Sequence, residues 1–367
     1  CLLPRPRTRD RLVSHVKTGI AIIGGGLSGL ALARHLHRAG RDFHLFEARN
    51  RLGGRVKSFF HKCGYFDLGP SWFWPGQPRM ADLVATFSLP VFEQYATGDI
   101  LFESRAGDVR RNIGFSSMQG SLRIEGGMRA LIDAVADDLP KDRLLLGKKL
   151  TSASLENGLE FGDGTNCKAD NIVLAMPPRV AATLALSAAP SASQIEAMQR
   201  IPTWMAGHAK FIAIYDHAFW RDGGFSGDAT SHHGPLVEIH DASPQGGAPG
   251  ALFGFLGVPP AARAGREADV VAAAVAQLGR LFGPAAKAPQ ETVYQDWTTA
   301  PETATQADVQ PLNHHPDYGL PSELRGLWQG RLHFCATETA SEMGGYLEGA
   351  LCAAEETAEQ LLKARVS

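Results

Sequence analysis

Three groups of residues in this chain have types and spacings suited to chemistry. The first is Gly24-x-Gly26-x-x-Gly29, with Glu47 one strand further on. Glycines in such a turn leave backbone N–H groups bare at a helix N-terminus, where a pyrophosphate binds. An acid at the position of Glu47 accepts the hydroxyls of an adenosine ribose. The second is Lys210 in "AGHAKFIAIYD", an ammonium inside an alternating apolar strand, where a buried charge needs a partner or a task. The third is "GGYLEGAL", residues 344 to 351. Gly344 and Gly345 let another surface come close, and the face of Tyr346 attracts a cation. Other chemistries lack their residues. No serine occupies a G-x-S-x-G elbow. The pairs His232-His233 and His314-His315 sit among Gly, Pro, Ser and Asp without an H-E-x-x-H or cysteine partner, so they read as loop histidines and no metal site is expected.

These groups need elements to hold them. An apolar run, Ile20 to Ile23, leads into the glycine turn; a helix (Leu30, Ala33, Leu36) follows and stops at Gly40; a second strand, Phe43 to Phe46, ends in Glu47. That is a βαβ unit with the glycines in its first turn, which predicts dinucleotide binding within an α/β fold. At 367 residues, 44% of them hydrophobic, the chain is long enough for two domains. Its net charge of −2 with scattered Lys and Arg excludes nucleic acid as a partner. Five cysteines (Cys1, Cys63, Cys167, Cys335, Cys352), odd in number and without a C-x-x-C pair, predict reduced thiols in a cytoplasmic protein. Residues 1–17 are Arg-rich without the apolar core of a signal peptide and are expected to be a disordered extension. No stretch is long enough for a transmembrane helix, so no membrane anchor is expected. "DASPQGGAPG", 241 to 250, reads as a surface loop, and Glu355, Glu356 and Glu359 as a solvated face of the last helix.

The residues after Glu47 separate FAD from NAD. "EARNRLGGR" resembles the FAD-binding signature of the flavin amine oxidase superfamily, and further motifs in the same order extend the resemblance over residues 18 to 367. They are "FDLGPSWFWP", "RIEGGMRALIDAVADDLP", "KKLTSASLENGLEFGDGTNCKADNIVLAMPP", "AKFIAIYDHAFW" and "LHFCATETASEMGGYLEGALCAAEETA". The chain is thereby identified as a member of the flavin monoamine oxidase family. The resemblance implies an α/β and α+β architecture: a Rossmann-like FAD-binding domain of the GR2 type (17–76, 123–190, 298–367) interleaved with a mixed-sheet substrate domain (77–122, 191–297). The pyrophosphate turn would use Gly24, Gly26, Leu27, Ser28 and Gly29. Glu47, Ala48, Arg49, Gly53, Gly54 and Arg55 would follow the ribose, phosphates and ribityl chain. Gly69, Pro70, Ser71 and Trp72 would pass over the flavin, while Leu150 and Ala175 would lie beside the adenosine. Glu338 would touch the ribityl or pyrophosphate. Gly345, Tyr346 and Leu347 would start the last helix, Tyr346 to Lys363, against the flavin ring.

In the catalytic roles that the family assigns, Lys210 holds a water against flavin N5, Trp297 borders the flavin, and Tyr346 forms one wall of an aromatic cage. The implied activity is oxidation of a small-molecule amine by hydride transfer to flavin N5, with imine hydrolysis and reoxidation by O2 to H2O2. Two departures stand out. Gln306 and Ala307 occupy the places of the flavin-linking cysteine and second cage tyrosine, which implies noncovalent FAD and leaves the second wall to Trp72, Phe73, Trp74, Trp204 or Trp220. Ala336 replaces a glycine before Glu338, and its methyl is expected to displace the backbone slightly. Related readings stay open: a dehydrogenase or desaturase, an amino-acid oxidase using Arg221 as carboxylate clamp, or a flavin-binding protein without turnover. Oligomerisation is open as well.

Overall fold

The structure is a computed structural model that describes residues 15–62, 64–187, 190–310, 312 and 314–363. The expected extension lies outside the described residues as far as residue 14; from His15 the chain is already strand. Cys1 and Cys63 also lie outside them, and Cys167, Cys335 and Cys352 are free and buried.

The strand His15–Ile23 is buried along its apolar half because it is central in an eight-stranded sheet, flanked in parallel by Phe43–Phe46 and Asn166–Leu174. Continuous apolar runs are what such doubly covered strands require. Leu332–Phe334 joins Asn166–Leu174 in parallel and brings the C-terminal motif beside the first. The helix Leu27–Arg38 ends at Gly40, whose φ of +63° permits the closing bonds Gly40 N–H to His37 O and Arg41 N–H to Leu36 O. The last helix, Leu347–Lys363, shares one apolar core with it.

A second, seven-stranded sheet runs in the order Glu291–Asp296, Ala209–Tyr215, Gly250–Leu256, Leu236–Asp241, Phe225–Ser231, Asp99–Glu103, Val109–Arg111. All neighbours are antiparallel except Phe225–Ser231 with Asp99–Glu103. One face packs on the helix Glu267–Phe282. The other, carrying Ile212, Phe253 and Phe255, meets Phe66, Leu68 and Trp72, from the strand Gly64–Asp67 and the loop after it. The connection between Leu236–Asp241 and Gly250–Leu256 is a loop exposed at Gln245, Gly246 and Ala248, as expected for 241–250, but its start is not at the surface, because Asp241, Ala242 and Ser243 are buried. Asp241 accepts from Trp220 Nε1 and Arg221 Nε, and Ser243 Oγ accepts from Ala251 N–H.

The acid of "GGYLEGAL" has a structural task. Glu348, 1% exposed, accepts the N–H groups of Arg79 and Met80 at 3.0 and 2.9 Å and so caps the helix Pro78–Thr86, which has no side-chain cap of its own. Glu348→Ala should destabilise the protein by about 1–2 kcal/mol in chemical denaturation. An unchanged midpoint would show that water replaces the cap. Glu355, next on the same helix, pairs with Arg79 at 2.7 Å, so the expected solvated face is exposed only at Glu359.

Candidate active site

A cavity of about 680 Å³ runs from the glycine turn to the apolar face of the seven-stranded sheet. Its first arm shows two different uses of glycine. A Cβ on Gly24 would lie 2.3 Å from Ala175 O, and one on Gly29 would lie 2.0 Å from Gly24 O, so both permit close packing. Gly29 does not reach the cavity surface. A Cβ on Gly26 meets nothing within 4 Å. Gly26 therefore borders open space, and it caps a helix that has neither a side-chain cap nor an acid in its first turn. Glu47, 4% exposed, accepts from Gly25 N–H at 2.7 Å and Arg49 N–H at 2.9 Å. A carboxylate offers about four lone-pair sites, so both oxygens can still accept hydroxyls. Bare helix amides, an acid placed for a ribose and a cavity of this length together fit a flavin dinucleotide.

Ala48, Arg49, Gly53, Gly54, Leu150 and Ala175 line this arm, as do Leu27 and Ser28. Ser28 Oγ donates to Cys335 O. Arg55 forks onto Glu338 at 2.5 and 3.2 Å. Glu338 is fully buried behind Arg55 and does not line the cavity, so it acts on the lumen through the guanidinium rather than by direct contact. Burial of Arg55 would lower its pKa, but the Glu338 carboxylate outweighs it and holds the guanidinium firmly charged. Ala336 lines the cavity with φ −131° and ψ 152°, an extended conformation open to any residue, so its methyl causes no backbone strain.

Where the arm meets the seven-stranded sheet, loop 67–72 is held by residues of that sheet's border. Lys210, 2% exposed, donates to Asp67 O, Gly69 O and Ser71 Oγ, each at 2.9 Å. These acceptors take all three ammonium protons. Lys210 and Ser71 both line the cavity, and Ser71 keeps its own O–H while accepting from Lys210. The Phe253 ring lies 4.2 Å from the ammonium. Burial brings Lys210 down to about 7, against the opposing pull of Asp67. Trp297 donates its indole N–H to Leu68 O at 2.9 Å and lines the cavity; Gly69, Pro70 and Trp72 do so too.

Tyr346 is 38% exposed, and its ring lies edge to face with Trp74 at 6.5 Å. Its neighbours answer what the glycine pair is for. A Cβ on Gly344 would strike Tyr318 at 2.4 Å, and one on Gly345 would strike His315 Nε2 at 2.8 Å. The pair thus admits two side chains of the same chain. His315 stacks on Tyr346 (5.1 Å, 17°) and also contacts Trp204 at 5.1 Å. The sequence reading saw His315 only as a loop residue and missed this support. Gly345, Tyr346 and Leu347 line the cavity, which sets the first turn of the last helix against it.

Of the aromatics considered for a second wall, Trp72, Trp74 and Trp204 line the cavity, whereas Phe73 and Trp220 are buried in separate cores. Arg221 is no carboxylate clamp. It is committed to the buried Asp241 at 2.8 Å and lies 3.9 Å from the Tyr95 ring. Glu238, unremarked in the sequence, also lines this end.

A family profile described as "Flavin containing amine oxidoreductase" matches residues 91–362, and one described as "NAD(P)-binding Rossmann-like domain" matches residues 22–87. A probable flavin-containing monoamine oxidase A of Dictyostelium discoideum is 23% identical over 90% of this chain and 94% of its own length. Among solved structures, a putrescine oxidase bound to putrescine superposes with a TM-score of 0.80 at 20% identity, covering 95% of this chain and 100% of that one. Cyclohexylamine oxidase from Brevibacterium oxydans also gives 0.80 at 20% identity, over 95% and 99%.

Proposed function

Because this chain belongs to the family of flavin-containing amine oxidoreductases and takes FAD as its cofactor, we propose that it oxidises the C–N bond of a small amine to an imine. The imine hydrolyses to an aldehyde or ketone and releases ammonia or an amine. The observation that carries this reading is the continuity of the cavity, from the open space at Gly26 to the aromatic end at Tyr346, Trp74 and Trp204. FAD, when bound, would supply the two-electron acceptor for the hydride of the amine's α-carbon, with O2 as the final acceptor and H2O2 as its product.

The chain's own residues hold and orient. Gly26 and the helix behind it receive the pyrophosphate, Glu47 the ribose, and Arg55, kept charged by Glu338, the phosphate and ribityl region. No cysteine lines the cavity among the described residues, which supports noncovalent binding. The first turn of the last helix presents its positive end to the lumen, favouring negative charge there. Tyr346, backed by His315 and edged by Trp74, orients the amine head group by its ring face. Aromatic walls exclude water from the reacting carbon, and Ser71, fixed by Lys210, holds the water next to it. We read the eight-stranded sheet as the core of the cofactor domain and the seven-stranded sheet as that of the substrate domain.

The test is anaerobic. A panel of primary amines, diamines and amino acids is added to the purified yellow protein. An amine should bleach the oxidised-flavin spectrum, and air should restore it with release of peroxide. A protein that dithionite reduces but no amine bleaches would defeat the reading. The committed Arg221 predicts that amino acids are poor donors.

A further inference from the structure

Among the described residues, Gln77 is the only carboxamide that lines the cavity. It is 3% exposed and stands at the N-cap of the helix Pro78–Thr86. Its backbone is anchored there: the N–H donates to Trp74 O at 3.0 Å, and the carbonyl accepts from Ala81 N–H at 3.0 Å. The side chain is oriented as well. Trp74 N–H can only donate, so its partner at 3.2 Å is Gln77 Oε1, and the NH2 group occupies the other side of the carboxamide. Nε2 meets no acceptor among the described residues. It is not sealed in the core, as the unpartnered atoms of His44, His61, Thr203, His315 and Trp328 are, so it opens on the lumen that Gln77 lines.

The same lumen receives the start of the last helix. Trp74, bonded to Gln77, stands edge to face with Tyr346, and Glu348 holds the amides of Arg79 and Met80, two and three residues beyond Gln77. In that first turn the N–H groups of Leu347 and Glu348 donate to no acceptor among the described residues. Bare amides at a helix N-terminus carry the equivalent of roughly half a positive charge. The carboxylate of the turn, Glu348, is committed to Arg79 and Met80 and does not line the cavity. Two independent sets of donors, one from the backbone and one from a buried side chain, thus serve one stretch of lumen, and nothing on the protein accepts from them.

We propose that Gln77 tunes the cofactor: its NH2 group donates to the pyrimidine edge of the bound flavin beside the bare amides of the last helix, stabilising the negative charge that the ring carries after taking up a hydride. This rests on the flavoenzyme reading above, and not on which donor supplies the hydride. Donors fixed in advance where charge develops act without reorganisation, and a hydrogen bond to a charged group changes an equilibrium by roughly 10- to 100-fold.

The experiment measures the two-electron reduction potential of the flavin on the holoenzyme, against a reference dye and without any amine, for wild type, Gln77→Met and Gln77→Glu. Met has the length of Gln and no donor. Glu keeps an oxygen for Trp74 N–H and turns a carboxylate oxygen to the lumen in place of the NH2. Gln77→Met should make reduction roughly 10-fold less favourable, a fall of about 30 mV for a two-electron couple, and Gln77→Glu should fall further. Loss of the Trp74 bond alone would give the opposite order, because only Met loses it. Potentials within about 10 mV of wild type, a roughly twofold change, or a Glu variant above the Met variant, overturn the proposal and leave Gln77 as a structural cap. Should one variant release its FAD, the other decides. No amine enters the measurement, so its failure leaves the amine-oxidase reading standing, and a flavin that no amine bleaches leaves the role of Gln77 standing.

Discussion

Gly26→Val gives a folded, colourless protein. The backbone at Gly26 has φ −74° and ψ −179°, which a β-branched residue adopts, and no atom lies within 4 Å of the added Cβ. The cofactor-free fold should therefore change in stability by less than about 1 kcal/mol. The valine fills the approach to the uncapped helix amides. FAD stabilises only the chain that binds it, by about 4 kcal/mol at a thousandfold excess over its dissociation constant, and the variant should lose that increment together with flavin absorbance and activity. Denaturation curves with and without added FAD, on wild type and variant, separate the two contributions. Gly29→Val would not serve, since its Cβ would lie 2.0 Å from a backbone oxygen and the variant would fail to fold. A yellow Gly26→Val protein would show that the glycine turn is not where the pyrophosphate sits.

The second large effect is that of Lys210→Met, for which we expect a loss of about 2–4 kcal/mol, because three acceptors in or beside a buried loop lose their donor at once. The sign of the pH dependence follows from the direction of the shift. Lys210 titrates near 7 in the folded protein, and an unfolded lysine near 10.4. Between these values the unfolded chain binds a proton that the folded chain lacks, so wild-type stability gains up to about 1.4 kcal/mol per pH unit, and below pH 7 the contribution is flat. The gap between wild type and Lys210→Met should widen from pH 7 towards 9. A gap independent of pH would mean that Lys210 keeps its proton throughout. Loop 67–72 lines the lumen, and a displacement on the order of 1 Å lowers turnover about 100-fold, so the variant should be slow even at temperatures where it is folded.

What could be read from the sequence follows the range of the interactions involved. The glycine turn was legible because its glycines, the strand before them, the helix after them and Glu47 follow one another within a single βαβ stretch. Lys210 was legible because its charge contradicts the apolar strand around it. Glu238 was not: "LVEIHD" alternates like any half-buried strand, and its position in the lumen depends on the lateral order of strands far apart in the chain. Trp74 and Trp204 could not be told from Phe73 and Trp220 by residue type, since aromatic side chains suit a core and a cavity wall equally. Arg221 has the chemistry of a clamp, but Asp241, brought close by a hairpin, had already engaged it. The site's position came from local motifs, and the lining of its aromatic end from long-range pairing.

The ammonium that joins the seven-stranded sheet to loop 67–72 also restricts how a ligand enters. Lys210 belongs to the seven-stranded sheet, while its three acceptors and the carbonyl bound by Trp297 belong to residues 67–71. Opening the cleft as a hinge would strip four hydrogen bonds in one motion. The two bodies should therefore remain latched through the catalytic cycle, and passage in and out falls to the smaller segments at the lumen's rim, among them the stretch from Ser117 to Met118 that leans on Glu238.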